Sequence, residues 1–310
     1  MKLLTNPCNF KNAIDLIKFG IDQISIGESK FSTRNSCDIN LKQIEKLTKI
    51  KNKTQILVLV NKFFFDPQLP ELEKYLVSLA KLNIDGIIFS DYAVNQILFE
   101  HKIKINQIYS PETLVVNYGQ FDFYKQNKIT EVALARELTK LNIQKILLNK
   151  KNIKVQLQVC GYAFMMWSRW DLLKNFRKSH KIKENLTNQI LYLEEERRKE
   201  PFIIFEDENG TCMFTKYNLN LLSKLKELSQ YKIDTVRIDT FLHNEKWIIE
   251  SAKIFKEVIE KIKNNDSDLE KFIADSTNLL SKYDKVQSCG FYESSKKDLI
   301  YLLDEKKQQK

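Results

Sequence analysis

Gln55-Ile56-Leu57-Val58-Leu59-Val60-Asn61 and Gly86-Ile87-Ile88-Phe89-Ser90-Asp91 are two short apolar runs that each end in polar residues. Between them, residues 70–83 show helical spacing, with Leu72, Tyr75, Leu76, Leu79 and Leu82 on one face. Strand, amphipathic helix, strand is the βαβ unit, and its repetition builds an α/β fold around parallel strands.

The same alternation extends in both directions. Strands are expected over residues 2–6, 23–27, 108–112, 131–136, 154–160 and 235–239, and helices over 10–19, 40–52, 93–102, 118–127, 138–149 and 243–263. Eight strands with short helical connections predict an α/β fold of the (β/α)8 type, a TIM-like barrel. A doubly wound sheet is the alternative. With only seven glycines, no Gly-rich phosphate fingerprint follows any strand. The expected domains are a barrel over 1–263, carrying an insertion at 161–230 between strands seven and eight, and a helical, charged C-terminal extension over 264–310.

Composition excludes several classes. No apolar run approaches the ~20 residues needed to span a bilayer, and the N-terminus carries no signal-peptide pattern, so a cytoplasmic protein is expected. The five cysteines, Cys8, Cys37, Cys160, Cys212 and Cys289, are widely spaced, and His101, His180 and His243 are scattered. This argues against a disulfide framework or a metal site of ordinary spacing. The net charge of +10 suits a polyanionic partner, although 43 of the 50 basic residues are lysine, as AT-biased coding alone would produce. Against that drift, the seven arginines mark places where a planar, bidentate fork is needed.

In a barrel, chemistry collects at the carboxyl ends of the strands. Those ends carry Arg34, Asn61, Asp91, Glu112, Asn117, Arg136, Glu137, Arg237 and Asp239. Guanidinium forks braced by carboxylates suit a small anionic or carbonyl-bearing ligand. The bland reading is a ring of ion pairs closing the barrel top. Arg34, Asn61, Asp91, Asn117, Arg136 and Arg237 are the substrate-binding candidates. Glu112, Arg136, Glu137, Glu206, Asp207 and Asp239 are the candidates for catalysis, and no metal ligands are assigned.

The insertion contains Phe205-Glu206-Asp207-Glu208-Asn209-Gly210-Thr211, a triple acid running into an Asn-Gly hairpin turn, where both turn residues tolerate positive φ. Glu206 and Asp207 are expected to brace the arginine rim. Met165-Met166-Trp167 with Trp170 reads as core or lid packing rather than a base-stacking platform. Glu194-Glu195-Glu196-Arg197-Arg198 reads as an exposed helix with local charge pairs. Arg169, Lys174, Arg177 and Lys178 are the candidate RNA contacts, with a solvated basic face as the alternative. Cys160 has no evident histidine partner, which argues against a nucleophile.

Glu206-Asp207-Glu208-Asn209-Gly210-Thr211 resembles a motif of the collagenase-like peptidase family U-32. Other segments fall in that family's order: Asn6-Pro7, Gly27-Glu28 with Phe31 and Arg34, Asn61, Ser90-Asp91, Glu112-Thr113 with Asn117, Ala135-Arg136-Glu137-Leu138, Val159 with Gly161, and Ile233-Asp234 with Ile238-Asp239. The resemblance is to the family's short branch, tied to tRNA hydroxylation. It implies a barrel protein that forms 5-hydroxyuridine at the tRNA wobble position, with tRNA as substrate, prephenate as co-substrate and a paralogous U-32 protein as partner. Prephenate's two carboxylates suit the arginine rim. The family's historical description implies a peptidase, but the sequence offers no nucleophile–histidine arrangement or zinc motif. Longer members carry cysteines read as an iron–sulfur site. Here Phe164 and Asp171 occupy two of those positions, Cys160 stands where histidine is usual, Arg237 where lysine is, and Thr240 where glycine is. No cofactor is therefore expected. The chain is expected either to hydroxylate without a cluster or to serve as a non-catalytic tRNA-binding partner.

Overall fold

The computed structural model describes residues 1–195, 198–284 and 286–294. The strands in chain order are β1 (Lys2–Thr5), β2 (Gln23–Ile26), β3 (Gln55–Val60), β4 (Gly86–Phe89), β5 (Gln107–Tyr109), β6 (Ile129–Ala133) and β7 (Lys154–Ser168). Next come β8 (Leu191–Glu195), β9 (Arg198–Asp207), β10 (Gly210–Asn220), β11 (Thr235–Ile238) and β12 (Gln287–Ser288). Strands β1 to β7 are joined in parallel order, and β11 pairs in parallel with both β7 and β1. The sheet therefore closes into the expected eight-stranded barrel.

The helices follow the same alternation: α1 (Phe10–Phe19), α2 (Leu41–Ile50), α3 (Leu69–Leu79), α4 (Tyr92–Glu100), α5 (Phe121–Gln126), α6 (Lys140–Leu148), α7 (Leu172–Ser179), α8 (Leu225–Gln230), α9 (Glu245–Lys263) and α10 (Leu269–Ser281). Local sequence sets their ends. Asn9 caps α1 by accepting from the Asn12 N–H at 2.7 Å, and Gly20 ends it in the left-handed region at φ 83°. None of the helices among the described residues is long and apolar enough to cross a membrane.

Strands buried on both faces read as continuous apolar runs, as β3 does. One face packs on the helices. The other turns inward, where Leu4, Leu57, Leu59, Ile88 and Ile108 form a separate buried cluster. Strand β7 contributes buried Gln156 and Gln158. Side chains alternate along a strand, so these glutamines share one face, in register with Thr235 and Arg237 of β11.

The insertion departs from the sequence expectation. Strand β7 does not end at Cys160 but runs on to Ser168, out of the barrel, and β10, β9 and β8 add to it in antiparallel order. The turn from barrel to extension lies at Gly161, whose φ is 104°; a Cβ there would sit 2.0 Å from the Asp239 carbonyl oxygen. Of the expected helix over Glu194–Arg198, the described residues are strand: Leu191–Glu195 is strand β8, and Glu195 stands opposite Arg198 of β9 in the ladder. Leu191, Tyr192 and Leu193 find ladder partners in Ile204, Ile203 and Phe202, and this pairing outweighs the helix propensity of the glutamates. Glu196 and Arg197 lie outside the described residues.

The C-terminal extension is only partly helical. Helix α10 buries Leu269, Ile273 and Leu280 against the main core, and β12 pairs with β10. Asp284 then accepts from the Trp247 indole at 2.6 Å and from the Asn218 amide at 2.7 Å. Beside it, His243 is stacked between Tyr162 and Trp247, with centroids at 4.7 and 3.6 Å. Burial pushes its pKa down to about 3, so this histidine is a neutral packing element. Residues 295–310, the last part of the helical, charged extension expected over 264–310, lie outside the described residues.

Candidate functional site

Four of the loops following barrel strands converge at the carboxyl-end mouth. Arg34 follows β2, Glu112 follows β5, Arg136 follows β6, and Asp239 follows β11, while Arg237 rises from β11 itself. Glu112 is the hub. Its Oε1 lies 3.4 Å from Arg34 Nη2, its Oε2 pairs with Arg136 Nη2, and Arg237 Nη2 stands 4.0 Å away. Asp239 Oδ2 lies 3.6 Å from Arg136 Nη2 and 3.8 Å from Arg237 Nη2. Burial alone would push the Glu112 carboxyl up, but Arg136, Arg34 and Arg237 outweigh it and hold the group at about 2.

Three guanidiniums meet two carboxylates, which leaves one positive charge in excess. The three arginine side chains are only 7–12% exposed. Arg237 Nε is buried and has no hydrogen-bond partner among the described residues. Such a cluster differs from a closed ring of ion pairs, in which charges would balance and donors would be used. It suits an incoming carboxylate or other small anion.

Several neighbours that the sequence did not single out as site residues complete the geometry. Gln158 Oε1 accepts from Arg136 Nε, fixing the fork, and Ser110 Oγ lies 3.4 Å from Arg237 Nη1. The Phe164 ring lies 4.1 Å from the Arg34 guanidinium and 5.6 Å from that of Arg136, a cation–π wall. Cys212 is buried beside Arg34; burial pushes its thiol up to about 11 despite that charge. Strand alternation could have flagged Gln158, a polar residue facing inward between apolar Leu157 and Val159. Phe164 stands out in the sequence only as a replacement for a cysteine of longer family members, and no sequence signal points to Ser110; both reach the cluster across the mouth.

The remaining candidates are placed elsewhere. Asn61 grips the Arg34 loop, accepting from Thr33 N–H at 3.0 Å and donating to its carbonyl at 3.1 Å. Asp91 caps α4 through the Ala93 N–H at 2.9 Å and also holds the Phe64 N–H at 2.9 Å. Asn117 accepts from the Gly119 N–H at 2.9 Å, and Glu137 is exposed. Glu206 is buried away from the rim arginines. Its carboxylate accepts from the Leu173 and Lys174 N–H groups at 2.8 and 3.1 Å, and from Thr211 Oγ1 at 2.7 Å. It therefore anchors the N-terminus of α7, where the helix dipole favours an anion. Asp207 accepts from the Asn209 N–H at 2.8 Å within its own turn. Only Gly210 of the Asn-Gly pair has positive φ, 110°, and a Cβ there would meet the Ser168 carbonyl at 2.2 Å.

Helix α7 carries the candidate RNA contacts Lys174, Arg177 and Lys178. Lys174 pairs with Asp171 at 3.1 Å, and Arg177 Nη1 reaches the Glu184 carbonyl at 3.4 Å. The Arg169 guanidinium lies 3.8 Å from the Phe65 ring centre. Met165, Met166 and Trp170 are exposed rather than core, whereas Trp167 packs partly against Ile203, Cys212 and Phe214. Among the described residues, no three His, Cys, Asp or Glu side chains converge to hold a metal ion.

Fold and site define a (β/α)8 barrel protein with an arginine-rich mouth and an antiparallel extension built on β7. The chain belongs to peptidase family U32, whose sequence profile it matches over residues 8–300. It is 27% identical over 275 residues to tRNA hydroxylation protein P2 of Bacillus subtilis, covering 87% of this chain and 89% of that protein. It is also 20% identical to tRNA hydroxylation protein P1 of the same organism, covering 84% of this chain but only 63% of that longer protein. A solved U32 peptidase, Mk0906, superposes over 77% of this chain and 92% of its own, at 14% identity and a TM-score of 0.48.

Proposed function

We propose that this protein acts in tRNA modification in the cytoplasm, hydroxylating uridine at the wobble position. A small polycarboxylate, prephenate in particular, is its co-substrate at the arginine cluster, and a second U32 protein is its partner. The observation that carries the reading is the buried cluster of Arg34, Arg136 and Arg237 around Glu112, with one cation in excess and Arg237 Nε unpartnered among the described residues. Its presence in a chain similar to a tRNA hydroxylation protein supports reading it as part of an RNA-modifying site.

The chain's own residues divide the work. Arg136, oriented by Gln158, and Arg237 present forks to a carboxylate, while Glu112 and Asp239 keep the forks apart and aligned. Lys174, Arg177 and Lys178 of α7 supply phosphate contacts. Proteolysis gains no support from the thiols: burial pushes the Cys160 thiol well up, and the Cys212 thiol likewise. Mass spectrometry of tRNA nucleosides provides the test, in cells lacking this chain and in the same cells given back the wild type or Arg237→Ala. Loss of 5-hydroxyuridine derivatives, restored by the wild type and not by R237A, is expected. An unchanged profile in the deletion rejects the reading.

A further inference from the structure

Next to the arginine cluster lies a second recess, of about 440 Å³, lined by Arg34, Lys62, Phe63, Phe65, Trp167 and Arg169 among others. That volume lies within the roughly 300–1,000 Å³ of small-ligand pockets. Its walls are aromatic and its rim is cationic: Lys62, Arg169 and Arg34 line it with one acid, Glu208, and Asp207 also acts on Lys62. The Phe63 and Trp167 rings are 5.6 Å apart and tilted by 41°, and Phe63 is 52% exposed. Phe65 is already covered by the Arg169 guanidinium, which leaves Phe63 and Trp167 as the open ring surfaces.

The recess is held in shape from behind. The Trp167 indole N–H donates to the Asn209 carbonyl at 2.8 Å, and Trp167 pairs with Cys212 in the β7–β10 ladder. Gly210 lets the hairpin turn press against Ser168 and Arg169. The acidic hairpin thus positions an aromatic ring and a guanidinium at the mouth. Ring faces with flanking cations are what a single-stranded nucleotide needs: stacking for its base and charge for its phosphates.

We propose that this recess receives one unstacked nucleobase of the RNA, laid against Phe63 and Trp167, with its flanking phosphates on Lys62 and Arg169. The proposal rests on the reading that the protein acts on tRNA, and it deepens that reading by giving the base an address. Arg34 lines both the recess and the anion cluster, so a base held here lies beside the polycarboxylate site.

The test is fluorescence anisotropy with the full chain and three probes: whole tRNA, a short uridine-containing single strand, and the same strand with an abasic sugar replacing the central uridine. The wild type is expected to bind the base-bearing strand about tenfold more tightly than the abasic one, the usual size of one base–aromatic stack. Phe63→Ala should erase that preference and Phe63→Tyr should keep it. Phe63 is half exposed, so neither change threatens the fold. Equal affinity of the wild type for both strands, or a preference that survives F63A, overturns the recess while leaving the tRNA reading standing. Failure to bind any of the three RNAs overturns both.

Discussion

Arg34 and Glu112 both hold left-handed backbone conformations, at φ 50° and 70°. For residues with a Cβ this costs roughly 1–2 kcal/mol each. Two strained residues meeting in one ion pair are a mark of a site whose geometry is over-determined by its surroundings. Glu112 is the residue on which that geometry turns. Its pKa is lowered in the folded state, so it contributes stability fully above its unfolded value near 4.5, and that stability is lost as pH falls toward about 2. Glu112→Gln should therefore lose about 3 kcal/mol at pH 7, as expected when one partner of a buried pair is removed. The gap to wild type should close as pH falls from the unfolded value to the folded one. Denaturant unfolding across that range measures it; a gap that keeps its full size at the acid end would show that charge is not what Glu112 supplies.

Among the elements, α7 shows how a motif can be legible while its role is not. The acids of Phe205–Thr211 stand out in any reading of the chain, and bracing the rim is the role they suggest. Instead Glu206 crosses to the N-terminus of α7 and satisfies two N–H groups that no helix can satisfy internally. Glu206→Gln would place a donor against a donor. We expect it to cost about 2 kcal/mol and to speed hydrogen exchange at the Leu173 and Lys174 amides while leaving the barrel strands protected. Uniform exchange across the molecule, or none at α7, would refute this anchoring. Strand β7 gives the complementary lesson. Its barrel half is readable from Val155, Leu157 and Val159. Its outer half reads only as a packing cluster, because Tyr162 to Ser168 become a strand when β10 supplies the ladder.

Across the whole molecule, the net charge of +10 says little until it is placed. Part of it is three arginines buried at the mouth, and part is Lys174 and Lys178, exposed on α7. If α7 meets phosphates, reversing Lys174, Arg177 and Lys178 to glutamate should weaken tRNA binding uniformly across sequences. It should also flatten the dependence of log affinity on log salt by about 2–3 units, roughly 0.9 for each duplex phosphate no longer neutralised. An unchanged slope would assign these cations to solvent. Closure into a barrel, with β11 paired to both β7 and β1, needed the tertiary structure, because the same pattern also builds a doubly wound sheet. The repeated βα units were settled by the sequence alone: apolar runs alternating with amphipathic helices bury their surfaces as parallel strands with helices packed on them. So were the positions of Arg34, Glu112, Arg136, Arg237 and Asp239 at strand ends, since side-chain and strand periods are local properties. Tertiary structure alone decided which of these touch, that Glu206 serves a helix and that Phe63 faces Trp167. Those contacts join residues far apart in the chain, and spacing along a sequence carries no distance across the mouth of a barrel.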